Sequence, residues 1–451
     1  MKKRKFKKRY IAYGALILLV ISTSIFWSNV KKILPPPSVV AFAEMFNGEK
    51  ELPGFIRNWG EKNTESRDYE SLPEIMTFND GTSVNDVEDY EKRKDEIIEL
   101  FKTHVYGELP DDQYQVSFRI LEESDMALDG KAIRQQVEMS IETEFGSSMA
   151  LILLYLPKDG EVISTFVGLN FKGNHAVYND PDILPSFATD KEIENIHEER
   201  GVQERRWPLK EIIARGYGVA TVFCDDFAPD NKDTYNSRWI NIFNDPDESE
   251  EEVKAVTMWS FGLMRAIDYL ETLPNINMDG IISIGHSRLG KASLWAGAND
   301  ERIDLVISND SGNSGAAISR SNRGERVASI QVFFPYWFTE NYMQYSNNEN
   351  ELPVDQHMLL ASIAPRKLYV ASADQDYWAD PEGEYLSTVI ASEGFEIYGY
   401  ESFSPVAMPS AGERVFTESV AYHIRPGLHD IIIYDWSNFM DYADEYLLIK
   451  K

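Results

Sequence analysis

The sequence predicts an α/β fold with a mostly parallel central sheet covered by helices on both faces. Three observations lead there. Short apolar runs rich in β-branched residues recur along the chain, helical patterns lie between several of them, and no repeat, linker or low-complexity stretch interrupts the series from about Glu51 onward.

The elements follow in chain order. Val116–Thr143 alternates charged and apolar residues, which predicts antiparallel strands ahead of the main sheet. The buried strands are then Met149–Leu156, Val162–Leu169, Gly218–Phe223, Gly280–Ile284, Leu305–Ser308 and Lys367–Ala373. Val253–Leu270 reads as a helix, because Val256, Met258, Leu263, Ala266, Ile267 and Leu270 recur at mixed 3- and 4-residue spacings, with Pro274 just past its end. The acidic run Asp245 to Glu252 stands at the start of that helix, where carboxylates favour the positive end of the dipole, and it needs no bound cation. Ser419–Arg425 reads as the last strand and Asp435–Ile449 as the final helix.

Composition narrows the function. The chain has 451 residues, 44 Lys+Arg against 74 Asp+Glu and a formal charge of −30. Apolar residues at 43% exclude a disordered acidic polymer. Nine basic residues and no acidic one stand in residues 1–32, so the remainder carries −39, a charge that repels phosphate backbones and excludes nucleic acid as a partner. Cys224 is the only cysteine, which leaves no internal disulfide and no Cys-based zinc site.

The N-terminus reads as a membrane segment. Seven Lys/Arg precede the uncharged stretch Ile11–Val30, and twenty helical residues rise about 30 Å, the depth of a bilayer core. The basic flank puts the N-terminus in the cytoplasm and the body of the chain outside. The expected organisation is a basic segment (1–9), a transmembrane signal anchor (10–30), a linker with Pro35-Pro36-Pro37 (31–49) and one α/β domain (50–451). Cleavage near Ala41-Phe42-Ala43 would instead release a secreted form.

The most informative stretch is Gly280–Gly297. An apolar strand runs into Gly285-His286-Ser287-Arg288-Leu289-Gly290, and a helix rich in small residues follows. That is the setting of a nucleophile elbow, which exposes a serine hydroxyl above the sheet of an α/β-hydrolase fold. The second glycine stands one residue later than in G-x-S-x-G, at Gly290. A serine nucleophile needs a base and a group that orients it, in the chain order Ser, acid, His. Only His357, His423 and His429 follow Ser287. His423 falls inside a strand and His357 opens the helical stretch DQHMLLASIAPR, whereas His429 lies in a loop after the last strand and is the expected base. Asp310 and Asp376 each lie just past the carboxyl end of a strand, and either is placed to orient that base.

GHSRLGKASLWAGAND, NDSGNSGAAISR, GER at Gly324–Arg326, FFPYWF, VDQHMLLASIAPRKLYVASADQDYWADPEGEY and HIRPGLHDIIIYDW together resemble the bacterial glucuronoyl esterases, a carbohydrate esterase family. FKGNH at Phe171–His175 and RGYGVAT at Arg215–Thr221 extend the likeness. The resemblance implies a cofactor-free serine esterase, acting on the ester between (4-O-methyl-)glucuronic acid of glucuronoxylan and a lignin alcohol. It implies Ser287 as nucleophile, His429 as base and Arg288 as oxyanion stabiliser. Lys291, Glu325 and Trp378 match the residues that hold the sugar. The family places its acid at the position of Asp310, usually as glutamate, or at that of Asp376; aspartate is the shorter side chain, which favours Asp376. Each sugar-binding candidate also has a structural explanation: a solvated helix lysine, a glutamate paired with Arg323 or Arg326, and a core tryptophan. Two other functions fit the same residues. One is an esterase of acetylated xylan or another small carboxylic ester, and the other is an inactive, membrane-tethered sugar-binding protein. The chain departs from the fungal branch in lacking disulfides.

Overall fold

Parallel neighbours need crossovers between them, and the helical segments between the apolar runs supply these. The computed structural model describes residues 72–110, 113–189, 199–243, 253–320, 322–404 and 407–447. The anchor, the linker and the acidic run lie outside the described residues. Among the described residues, no helix is long and apolar enough to cross a membrane.

The strands are β1 (Gln115–Met126), β2 (Ala132–Thr143), β3 (Gly146–Pro157), β4 (Thr165–Asn170), β5 (Gly218–Phe223), β6 (Ile281–His286), β7 (Leu305–Asn309), β8 (Lys367–Ala373), β9 (Glu413–Phe416) and β10 (Val420–Arg425). They form one sheet in the order β1-β2-β3-β5-β4-β6-β7-β8-β10-β9. The six strands from β5 to β10 in that order pair in parallel. The wing β1-β2-β3 and the edge strand β9 pair antiparallel. This is the expected α/β-hydrolase arrangement.

Alternation along the strands divides two cores. Val167, Val222, Ile281, Val306 and Val370 face helix α3 (Ala255–Glu271) and helix α4 (Arg288–Asn299), while Phe166, Val219, Ile282, Ile307 and Tyr369 face helix α2 (Leu209–Ala214) and helix α6 (Ile433–Tyr446). Helix α1 (Val87–Phe101), which the sequence pattern did not announce, adds Tyr90, Ile97 and Phe101 to the first core.

Some boundaries differ from expectation, each for a local reason. β4 begins at Thr165 rather than Val162, because Ile163 bonds instead to Gly216 and, through its carbonyl, to Asn277. Helix α6 begins at Ile433 rather than Asp435, because the Asp435 carboxylate accepts from the Ile432 amide and caps the first turn. Since parallel strands end at a common edge, the loops after β6, β7, β8 and β10 gather there.

Candidate active site

Ser287 follows β6 directly, with φ 58° and ψ −135°. A left-handed backbone costs a residue with a Cβ about 1–3 kcal/mol, so the surrounding packing must impose it. Gly285 is part of that packing, since a Cβ there would lie 2.0 Å from the Leu289 carbonyl oxygen. The late second glycine has its own reason. Leu289 is buried in the core, and it is Gly290 that meets the loop after β7, where a Cβ would sit 2.9 Å from that of Ser311. A serine at a helix N-terminus ordinarily caps it with its hydroxyl. Ser287 makes no such bond to α4, which leaves its Oγ uncommitted to the helix.

The hydroxyl opens onto a cavity of about 170 Å³ that is also lined by Arg288, Lys291, Asp310, Glu325, Phe334, Trp337, Trp378 and His429. Every sequence-derived candidate except Asp376 thus lines one cavity, and Asp376 stands directly behind it. The His429 Nδ1 lies 2.5 Å from Asp376 Oδ2, and Asp376 Oδ1 accepts from the Ala379 amide at 3.2 Å. Among the described residues the other ring nitrogen of His429 has no protein partner. No direct hydrogen bond joins it to Ser287, a looseness common where no substrate is bound.

Asp310 is the other acid. It is buried with φ 47°, and among the described residues neither carboxylate oxygen makes a hydrogen bond. Its nearest cation is Arg425, whose Nη2 lies 3.6 Å away. Burial, then the neighbouring Asp376 charge, push its pKa well above the usual carboxylate range. Asp310, Asp376 and His429 bring one ligand atom each within 4.8 Å of the others. With the His429 Nδ1 already committed to Asp376, the trio reads as an acid–base set rather than a cation cage.

The remaining candidates form the opposite wall. Lys291 is buried, and its ammonium donates to the carbonyls of Ser311 and Asn313 and to Glu325 Oε2 at 2.6 Å. It is therefore no solvated helix lysine, and its three protons are all engaged by protein. Glu325 pairs with neither neighbouring arginine, because Arg323 reaches Glu382 and Arg326 reaches Glu349. The Glu325 amide donates to the Trp378 carbonyl at 2.8 Å, which ties the two candidates together.

Four participants escaped sequence reasoning. The His286 ring packs 4.5 Å from that of His429 and bonds Asn309 through Nδ1 at 2.7 Å; burial, then the adjacent His429, hold its pKa well below the ordinary histidine value. Arg425 donates to the carbonyls of Pro426, Leu428 and Asp430, so the His429 loop wraps around its guanidinium. Glu384, in helix α5 (Pro381–Ala391), accepts from the Ser311 and Gly312 amides and so holds the loop beside Asp310. Asp230 lies 2.6 Å from the Arg288 Nε. The charged residues Arg425, Glu384 and Asp230 are signalled only by being buried or half-buried.

A family model described as "Glucuronyl esterase, fungi" matches residues 207–399. A curated relative, carbohydrate esterase MZ0003 from an unknown prokaryotic organism, is 36% identical over 446 residues, covering 96% of this chain and 98% of the relative. Among solved structures, a promiscuous CE15 esterase from a marine bacterial metagenome superposes with a TM-score of 0.77 at 37% identity, covering 84% of this chain and 100% of the other. A glucuronoyl esterase from Solibacter usitatus does so with a TM-score of 0.77 at 36% identity, covering 84% and 98%.

Proposed function

The chain belongs to the glucuronoyl esterase family and is a carboxylic ester hydrolase, and from that premise we propose that it cleaves esters of (4-O-methyl-)D-glucuronic acid, such as those joining glucuronoxylan to lignin alcohols. One observation carries the reading. Ser287, held in a strained elbow and uncommitted to its helix, shares a cavity with His429, whose far nitrogen is bonded to Asp376.

In the proposed reaction, His429 takes the Ser287 proton as Oγ attacks the uronate carbonyl, and Asp376 fixes the ring and stabilises the imidazolium that forms. Arg288 and the amides opening α4 stabilise the tetrahedral oxyanion. His429 then protonates the departing alcohol, and water hydrolyses the glucuronoyl-enzyme by the same route. No cofactor enters these steps. Glu325 is the expected acceptor for sugar hydroxyls, Trp378 the apolar surface under the ring, and Lys291 the residue that holds Glu325 in place.

The test compares hydrolysis of benzyl glucuronate and an aryl acetate by the wild type and Ser287→Ala. Fast, serine-dependent turnover of the glucuronate ester is expected. Turnover of the acetate alone would move the chain to a general esterase, a reading favoured by the promiscuous CE15 esterase among its structural relatives. We further propose that Ile11–Val30 tethers the enzyme to the cell membrane with its catalytic domain outside, a reading supported by the basic flanks of that segment. Full-length protein should then sediment with membranes, and residues 33–451 should not.

A further inference from the structure

Arg288 is half-exposed and carries four rotatable side-chain bonds, yet a donor for an oxyanion must be in place before charge develops. Two contacts restrain it. Its guanidinium lies over the Phe171 ring, 4.7 Å from the centroid, and its Nε lies 2.6 Å from Asp230 Oδ2. The carboxylate sets its charge beside the inner nitrogen without the alignment of a hydrogen bond, and among the described residues neither terminal nitrogen has a protein acceptor. Asp230 is itself fixed on every side. Its Oδ1 accepts from Tyr336 Oη at 2.7 Å and Trp337 Nε1 at 2.8 Å, and its amide donates to Asp225 Oδ1 at 3.1 Å. Trp337 in turn stacks on Phe334 at 3.9 Å, and both line the cavity.

We infer that Asp230 is a positioning residue for the esterase reaction, aiming Arg288 at the developing oxyanion and tying that donor to the aromatic wall of the sugar pocket. The inference rests on the oxyanion role proposed for Arg288. Two effects of the carboxylate oppose each other. Its charge weakens the field that Arg288 exerts on the oxyanion, while its contact holds the guanidinium where that field is useful. Positioning prevails, because a misplacement of about 1 Å near the reacting atoms costs on the order of 100-fold in rate.

Asp230→Asn separates the two, since it keeps an oxygen for Tyr336 and Trp337 but removes the charge facing Nε. The experiment measures kcat and KM on benzyl glucuronate and on 4-nitrophenyl acetate for Asp230→Asn, Asp230→Ala, Arg288→Ala and the Asp230→Asn/Arg288→Ala double variant, with near-UV circular dichroism as the control for folding. Asp230→Asn should lower kcat by about 10- to 100-fold on both esters with KM little changed. Asp230→Ala should also raise KM, for the glucuronate ester only. The double variant should be no slower than Arg288→Ala. An Asp230→Asn enzyme as fast as wild type beside a slow Arg288→Ala would overturn the inference, as would losses that multiply in the double variant. Arg288→Ala at the wild-type rate would instead remove the oxyanion role beneath it.

Discussion

Two histidine–aspartate pairs have their histidines on either side of Arg425, and they share a buried aspartate and the bond between their members but differ in setting. His429 and Asp376 meet at 2.5 Å, His423 and Asp435 at 2.9 Å. His423 lies within β10, wholly buried, and its second nitrogen is taken by Tyr369 Oη at 2.8 Å. His429 lies in a loop with its side chain 22% exposed, lines the cavity that holds Ser287, and among the described residues has no protein partner on its second nitrogen. Asp435 also accepts from the Ile432 amide and pairs with Arg425, so it serves to close a helix start onto a strand. A His–Asp bond alone therefore does not mark a base. The proposed base differs in having one nitrogen fixed and the other without a protein partner among the described residues, in a side chain that lines the cavity of the proposed nucleophile.

The sharpest way to break this contrast is to delete each ring. His429→Ala should lower kcat by roughly four to six orders of magnitude while leaving the melting temperature near that of the wild type. His423→Ala should do the reverse. It strands the Tyr369 hydroxyl and the Asp435 carboxylate in the core, a loss of about 2–4 kcal/mol of stability, while the protein that remains folded keeps a kcat close to wild type. Melting curves beside kcat for both variants check it. Loss of catalysis in His423→Ala without loss of stability would erase the distinction.

The two acids sharpen it further. Asp376→Asn should reduce kcat by about 10³- to 10⁴-fold, because an amide presents the wrong partner to His429 Nδ1. Asp310→Asn should cost less than about tenfold, since burial already favours the neutral form of Asp310 and no hydrogen bond joins it to His429. Equal losses in the two variants would mean that the acids share the task.

The elbow was legible in the sequence because it is local: a strand, Gly285, Ser287 and a small-residue helix lie within one short stretch. Which acid meets His429 was not legible from the residues alone, although the family likeness favoured Asp376, because it depends on strand order. β10 pairs with β8 and matches Arg425 to Ala373, so the loops that follow, bearing His429 and Asp376, emerge side by side. Asp310 follows β7, one strand farther away, and no hydrogen bond joins its carboxylate to the histidine. No spacing along the chain reveals that adjacency, since β9 sits between β8 and β10 in sequence yet pairs at the outer edge. For the same reason Asp230, Arg425 and the Lys291–Glu325 pair stayed hidden, each joining segments far apart in sequence. The family likeness supplied Lys291 and Glu325 as candidates, but not that the lysine spends its protons on protein.

The last and smallest effect concerns the charge around each pair. Asp435 is answered by Arg425, whereas Glu384, wholly buried beside the Asp310 loop, has no cation within ion-pair distance among the described residues. It accepts from Ser372 Oγ at 2.6 Å and from the Ser311 and Gly312 amides at 2.7 and 3.0 Å. Burial outweighs these bonds, and with the charge of Asp376 it pushes the pKa up to about 8. The unfolded chain releases this proton near the ordinary glutamate value of about 4.3, while the native state keeps it to about 8. Between those values the native state binds more protons, so stability falls as pH rises, with a slope of up to about 1.4 kcal/mol per pH unit for the one proton. Buried Asp310 adds in the same direction. Glu384→Gln preserves the acceptor for the loop amides and removes the titration, so its denaturation free energy measured between pH 5 and 8 should slope less than that of the wild type. An unchanged slope would mean that the carboxylate ionises in the native state at ordinary pH, and that the Ser372 hydroxyl and the loop amides alone balance a charge which its counterpart Asp435 needs an arginine to hold.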